Sequence, residues 1–241
     1  MKYIKNDLRP FKPSNYINLK GRKYLYLNDD DPSAAYNSEE ISFVAQPMAI
    51  KEINKKHNIV TVPLMMTDEW AIINNNENLI PNLRSSIKDY TFNFVGQCNY
   101  MDREVFRSLN LENYDFEETS PIYSLSPKEK ADKLIKFLYR ISKSRFVFAP
   151  RGVGSSSFRA YQSMMVGSIP IITGMNDYPF SKYVNWDQIS IRGDLSELNL
   201  LIEKALNMPY NHYKIMQKRA ISFWDNYCKH DMLHKKLEEM I

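Results

Sequence analysis

The stretch from Phe146 to Thr173 constrains the fold of this chain most. Phe146-Val147-Phe148-Ala149 is a short run with no polar residue, the pattern of a central parallel strand covered on both faces. It breaks at Pro150-Arg151-Gly152-Val153-Gly154 and three serines, then becomes helical from about Ser157 to Val166. Gly167 closes that helix at the position after its last turn, and Ser168 to Thr173 is the next strand. Strand, helix and strand at this spacing form a βαβ unit with a right-handed crossover, so the fold class is α/β. With 241 residues, 44% hydrophobic and 25% charged, the chain has ordinary globular usage, which excludes a disordered or fibrous protein.

The neighbouring segments extend this unit. Tyr90 to Val95 is an aromatic and β-branched strand ending on Gly96. Ser126-Pro127-Lys128-Glu129 is a capping box with proline at the first helical position, and Ala131, Leu134, Ile135, Leu138 and Ile141 follow at helical spacing. Helices are expected after Asp194 and again from Pro209, the second carrying Ile215, Met216, Ile221 and Trp224. In the first half, Lys23–Leu27, Ile41–Ala45 and Asn58–Met66 are strand candidates, with a short helical piece from Met48 to Lys56. They suggest a small α/β layer. The amide-rich run Asn74 to Asn78, followed by Pro81 and a charged segment to Asp89, reads as a linker, dividing a reduced lobe over 1–87 from a larger one over 88–241.

Charge and cysteine usage exclude several classes. The 32 Lys and Arg against 28 Asp and Glu give a net charge of +4 spread along the chain, which speaks against nucleic acid as a partner. Cys98, Cys228 and four histidines supply neither a disulfide framework nor a zinc cluster, and buried free thiols in a reducing compartment are expected. No segment approaches the roughly 18 apolar residues of a membrane span, and no signal-peptide core follows the charged amino terminus. The expectation is a cytoplasmic protein without an integral membrane segment, or a catalytic piece of something longer.

The chemistry gathers at the loop after Phe146–Ala149. A glycine- and serine-rich loop leaving a buried strand and entering a helix aims backbone N–H groups and the positive helix terminus at one point, where an anion belongs. Arg151 opens the loop and Arg159 lies in the first helical turn, so two guanidinium groups flank the place for a diphosphate. Gln162, three residues on, is placed to reach a ribose hydroxyl. The plainer alternative is a tight turn whose arginines pair with nearby carboxylates, and the spacing fits neither the Walker A nor the dinucleotide fingerprint.

These residues also resemble a family. Phe146 to Gly152, Ser157-Phe158-Arg159-Ala160-Tyr161-Gln162 and Val166 to Ile172 are similar to the signature of exostosin-type glycosyltransferases. Pro179-Phe180-Ser181, Val184-Asn185-Trp186 and, upstream, Phe94-Val95-Gly96 with Arg103 resemble further elements of it. The resemblance implies a GT-B-like architecture: a Rossmann-like C-terminal lobe holding a nucleotide-sugar donor, and a shortened N-terminal α/β lobe on the acceptor side. It implies sugar transfer to a glycan or other hydroxyl acceptor, inverting, with no cofactor beyond the nucleotide sugar and no metal. Arg151 and Arg159 would contact the diphosphate. Gly152, Gly154, Ser155, Ser156 and Ser157 would supply backbone donors, and Gly96 and Arg103 would complete the donor side. Gln162 departs from the glutamate common at the ribose position, replacing a charged acceptor by a neutral amide. Asp68, with Glu69 beside it, is the candidate general base that takes the acceptor proton.

Two rival readings start from other features. Asp29-Asp30-Asp31 contains an Asp-x-Asp pattern, which would make the chain a metal-dependent GT-A transferase. Gln162 and the short first half would also suit a catalytically inactive nucleotide- or sugar-binding module.

Overall fold

The computed structural model describes residues 16–19, 22–26, 43–46, 59–63, 72–73, 76–99, 103–120, 125–152, 156–175, 178–229, 232–233, 235–236 and 239. Four strands of the first half, β1 (Tyr16–Leu19), β2 (Arg22–Tyr26), β3 (Phe43–Gln46) and β4 (Ile59–Thr61), form one sheet in that order. The β1–β2 pair is antiparallel and the other two are parallel. The expected helical piece from Met48 to Lys56 lies outside the described residues.

The second sheet holds β5 (Tyr90–Gly96), β6 (Tyr114–Glu118), β7 (Ser144–Pro150), β8 (Ile169–Thr173) and β9 (Ile191–Gly193). All its pairings are parallel and its order is β6-β5-β7-β8-β9. Taken in chain order this is 2-1-3-4-5, a doubly wound arrangement whose topological switch point lies between β5 and β7. The Rossmann-like lobe is thus present, with helices α1 (Leu79–Arg84), α2 (Pro127–Ser142), α3 (Phe158–Met165), α4 (Leu198–Leu206) and α5 (Tyr210–Phe223).

Period-two alternation in β7 explains why both faces are covered. Phe146 and Phe148 enter one buried cluster with Phe92, Phe94, Phe106, Ile171 and α4 residues Leu198, Leu201 and Ile202. Val147 and Ala149 enter the other, with Leu138 and Ile141 of α2, Ala160 and Met164 of α3, and Trp186 and Trp224. Five phenylalanines in one layer give it stacked contacts such as Phe94–Phe106, with centroids 4.6 Å apart. Helix α5 passes from one layer to the other: Tyr213 joins the first cluster, Ala220 and Phe223 the second. A π-helical turn, Trp224–Cys228, then completes the second layer.

Local signals produced the helix ends. Glu129 N donates to Ser126 Oγ at 3.4 Å and Ser126 N donates to Glu129 Oε2 at 2.9 Å, so the box that starts α2 is formed on both sides. Gly167, at φ +75, ends α3, with Ser168 N donating to Ser163 O at 2.8 Å and Gly167 N to Met164 O at 3.2 Å. The stretch read as a linker contains α1, whose Leu79 and Leu83 are buried in the second layer. Arg84 anchors it: both terminal nitrogens meet Asp225 at 3.0 Å and Nε donates to Met165 O at 2.9 Å. Pro81 is tolerated there because it sits in the first turn, where no intrahelical donor is required. On α5, Ile215 is exposed at 49% instead of lying on the buried stripe; Tyr213, Gln217 and Ala220 form that stripe.

Candidate functional site

The carboxyl ends of β5 and β7 frame the switch point, and three arginines come to it from three elements. Arg103 opens a 3-10 turn, Arg103–Arg107, that follows β5. Its Nη2 donates to the carbonyl of Arg151 at 2.6 Å and, more weakly, to that of Pro150 at 3.4 Å. One guanidinium thereby holds the carbonyls of Pro150, the last residue of β7, and of Arg151, which follows it. Arg151 itself pairs backbone to backbone with β8, its N donating to Thr173 O at 2.9 Å. Its side chain runs over Gly174, where a Cβ would stand 2.9 Å from Arg151 Cδ; Gly174 also has φ +76, so both space and backbone require glycine.

Arg159, in the first turn of α3, reaches in the other direction. Nη2 donates to the carbonyl of Val95 at 2.7 Å, and the guanidinium carbon lies 4.9 Å from the centroid of Phe94. The approach depends on Gly96: a Cβ there would come within 2.3 Å of Arg159 Nη2. Nε of Arg159 is buried without a hydrogen-bond partner among the described residues. Burial first, and the charge of Arg103 second, push the Arg159 guanidinium well below its usual value. The chain therefore gathers positive charge here at a cost, and among the described residues no carboxylate forms an ion pair with Arg159. A bound anion would favour the charged guanidinium and so offset that shift.

The loop between them is closed at its base. Gly152 N donates to Ser156 O at 2.9 Å, and Ser156 Oγ lies 3.3 Å from Tyr161 Oη. Ser157 occupies the N-cap of α3 in extended backbone, and its side chain makes no capping hydrogen bond among the described residues. The first N–H groups of α3 thus open toward the same edge as the arginines. Ser156, Ser157 and Gln162 are all buried, at 1%, 6% and 7% exposure, Gln162 one turn beyond Arg159.

Of the residues singled out from sequence, Gly96, Arg103, Arg151, Gly152, Ser156, Ser157 and Arg159 meet at this edge. Gly154, Ser155, Asp68, Glu69 and Asp29 to Asp31 lie outside the described residues. Three participants were missed: the Val95 carbonyl, the Phe94 ring and Gly174. A glycine ending an aromatic strand was a signal for the first two, since only a side chain from elsewhere explains the empty space. Tyr114 is a further neighbour; burial pushes its phenol up, and its Oη donates to Phe106 O at 3.0 Å.

Among the described residues there is no group of three or more His, Cys, Asp or Glu placed to hold a metal, and no helix long and apolar enough to cross a membrane. Cys98 and Cys228 are free and buried.

Among solved structures, the pneumococcal O-GlcNAc transferase GtfA in complex with UDP and GlcNAc is similar at 12% identity and a TM-score of 0.41. The match covers 84% of this chain and 46% of that one, so the chain spans about half that protein's length. No curated protein matches the sequence. The exostosin GT47 domain matches residues 38–207, well over half of the chain and including the whole switch-point edge. The chain belongs to the exostosin GT47 family of glycosyltransferases.

Proposed function

We propose that this chain transfers a sugar from a nucleotide-sugar donor to a glycan or other hydroxyl acceptor, with inversion and without a metal. The observation that carries the reading is Arg159: a guanidinium at the switch point, beside Arg103 and above a helix N-terminus, held by a backbone carbonyl and no described carboxylate. A donor diphosphate in that place takes charge-assisted hydrogen bonds from Arg159 and Arg151 and backbone donors from Gly154, Ser155, Ser156 and Ser157, while the Gly152 N–H, taken by Ser156 O, closes the base of the loop. Negative charge grows on the departing nucleoside diphosphate as the glycosidic bond breaks, and fixed positive groups stabilise that state more than the ground state. Gln162 hydrogen-bonds the ribose, and Gly96 leaves room for Arg159. Arg103 acts on the donor edge through the Pro150 and Arg151 carbonyls it holds. On this reading the two lobes divide near residue 87, and Asp68, from the acceptor side, removes the acceptor proton.

Titration with a panel of nucleoside diphosphates tests the reading. Arg159→Ala should weaken the best binder by about ten- to a hundredfold, the range expected for losing one hydrogen bond to a charged group at about 1.5–3 kcal/mol. An unchanged Kd would overturn it. Turnover of the matching nucleotide sugar should survive a chelator; its loss there would favour the metal-dependent alternative built on Asp29 to Asp31. Tight binding with no turnover on any acceptor would favour the inactive module, in line with the neutral Gln162.

A further inference from the structure

The opposite edge of the same sheet holds a second gathering of positive charge. A cavity of about 460 Å³ opens where β5 and β7 begin and α5 crosses between the layers. Lys88, just before β5, Arg145, the second residue of β7, and Lys214 of α5 line it together with Arg84, Tyr213 and Gln217; none of its lining residues is acidic. Arg84 is neutralised by Asp225. The other three cations form no ion pair with a described carboxylate.

Each of the three is held by something other than a counter-ion. The Arg145 guanidinium lies 4.6 Å from the Tyr213 ring centroid and 5.6 Å from that of Phe146, and its Nε is buried without a hydrogen-bond partner among the described residues. Lys88 Nζ donates to Ser142 O at 2.6 Å and Ser168 Oγ at 3.1 Å, which leaves its third proton for another acceptor. Lys214 Nζ donates to Gln217 Oε1 at 2.9 Å, and Gln217 is itself fixed by donating to Gly167 O at 2.7 Å. Burial, and then the charge of Lys214, push the Lys88 ammonium down to about 7. Like charges collected in a hollow with no carboxylate are unfavourable alone and favourable around an anion.

We propose that this cavity binds a small phosphate-bearing molecule, its phosphate against Lys88, Arg145 and Lys214 and its remainder along Tyr213 and Gln217. The volume supports more than a bare ion, since small-molecule pockets run from about 300 to 1,000 Å³. The site is separate from the donor edge and does not depend on the function proposed for it. Nothing in it selects a base, so the recognised chemistry is the phosphate and a polar body.

The test is calorimetric titration of the full chain, in the parent and in Arg159→Ala, with sodium sulfate, sodium phosphate and glucose 6-phosphate as probes. Saturable binding of all three in Arg159→Ala is expected, and Lys214→Ala should weaken each by about tenfold, one charge-assisted contact. Lys214 is exposed on α5 and alanine favours helix, so that variant keeps its fold. Lys88→Met, which keeps side-chain volume, is the second variant. Glucose 6-phosphate binding more tightly than phosphate supports the proposed phosphate-bearing ligand; equal or weaker binding overturns the seat for its remainder along Tyr213 and Gln217. Sulfate has no proton to exchange in this range, so its affinity should fall from about pH 6 to about pH 9 in the parent and stay flatter in Lys88→Met. Besides Lys214, the charged and titratable groups that line the cavity with Lys88 are Arg84, Arg145, Tyr210 and Tyr213, and burial pushes the Tyr213 phenol up to about 12, above the range titrated. No saturable binding in Arg159→Ala, or an unchanged Kd in both lysine variants, overturns the proposal.

Discussion

At the scale of single residues, Gly96 and Arg159 are one device. The guanidinium fits only because position 96 has no Cβ, which would stand 2.3 Å from its Nη2. Gly96→Ala should therefore displace Arg159 without opening a cavity. Its expected signature is a loss of nucleoside diphosphate affinity of about tenfold with a near-native melting temperature. A variant that binds as well as the parent would show that Arg159 is not needed in its observed place. The pairing explains how far the site was legible. The anion-binding loop, Arg151 and Arg159 stand out in sequence because glycine, serine and arginine lie within one short segment. That Arg159 would settle on the Val95 carbonyl, 64 positions earlier in the chain, follows only from the sheet order, which places β5 against β7. The Lys88, Arg145 and Lys214 cluster was illegible for the same reason: its members come from separate elements and share no motif.

At the scale of elements, signals confined to a few consecutive residues translated directly. The capping box of α2 and the glycine that ends α3 act within one turn, so sequence spacing is sufficient. Gly167→Ala measures the second. A left-handed residue with a side chain costs about 1–2 kcal/mol, and the new Cβ would meet Ile221 Cδ1 at 3.2 Å. Chemical denaturation should show a loss of at least that size; no loss would mean that α3 ends differently in solution. Edge strands were harder to read. β6 carries Asp115, Glu117 and Glu118, and it is a strand because Asn93 Nδ2 donates to Asp115 Oδ2 at 2.7 Å while Arg140 binds both Asp115 and Glu117. Its acidic pattern makes sense only with Arg140 of α2 beside it. β9 is three residues long, too short for any period. The buried Gln217 broke the apolar rule on α5 because its amide is bonded to Gly167 and Tyr213.

At the scale of the whole molecule, stability should depend on pH through Lys88. Its folded value near 7 lies below the ordinary lysine value of about 10.4. Between the two, the unfolded chain binds more protons, so this group's contribution to stability rises with pH; its penalty is full below about 7 and gone above about 10.5. The stability of Lys88→Met relative to the parent should accordingly shrink between about pH 6 and about pH 9 in urea denaturation. A constant difference would place Lys88 in ordinary solvent. Arg84 contributes at the same scale, joining α1 of the first half to the end of the last described helices through Asp225. Burial raises that carboxyl, but Arg84 and Lys229 outweigh it and hold the group below its usual range.

β7 runs from Ser144 to Pro150, with Arg145 at one end and Arg151 just past the other. At about 3.3 Å per residue the two arginines stand roughly 20 Å apart along the strand. That exceeds the distance of about 8 Å over which physiological salt damps exposed charges. Two anions held at the poles of one strand would thus scarcely repel, and each would tighten the same β-ladder from its own side. Their stabilising effects should add, so that the rise in melting temperature with both present approaches the sum of the rises with each alone.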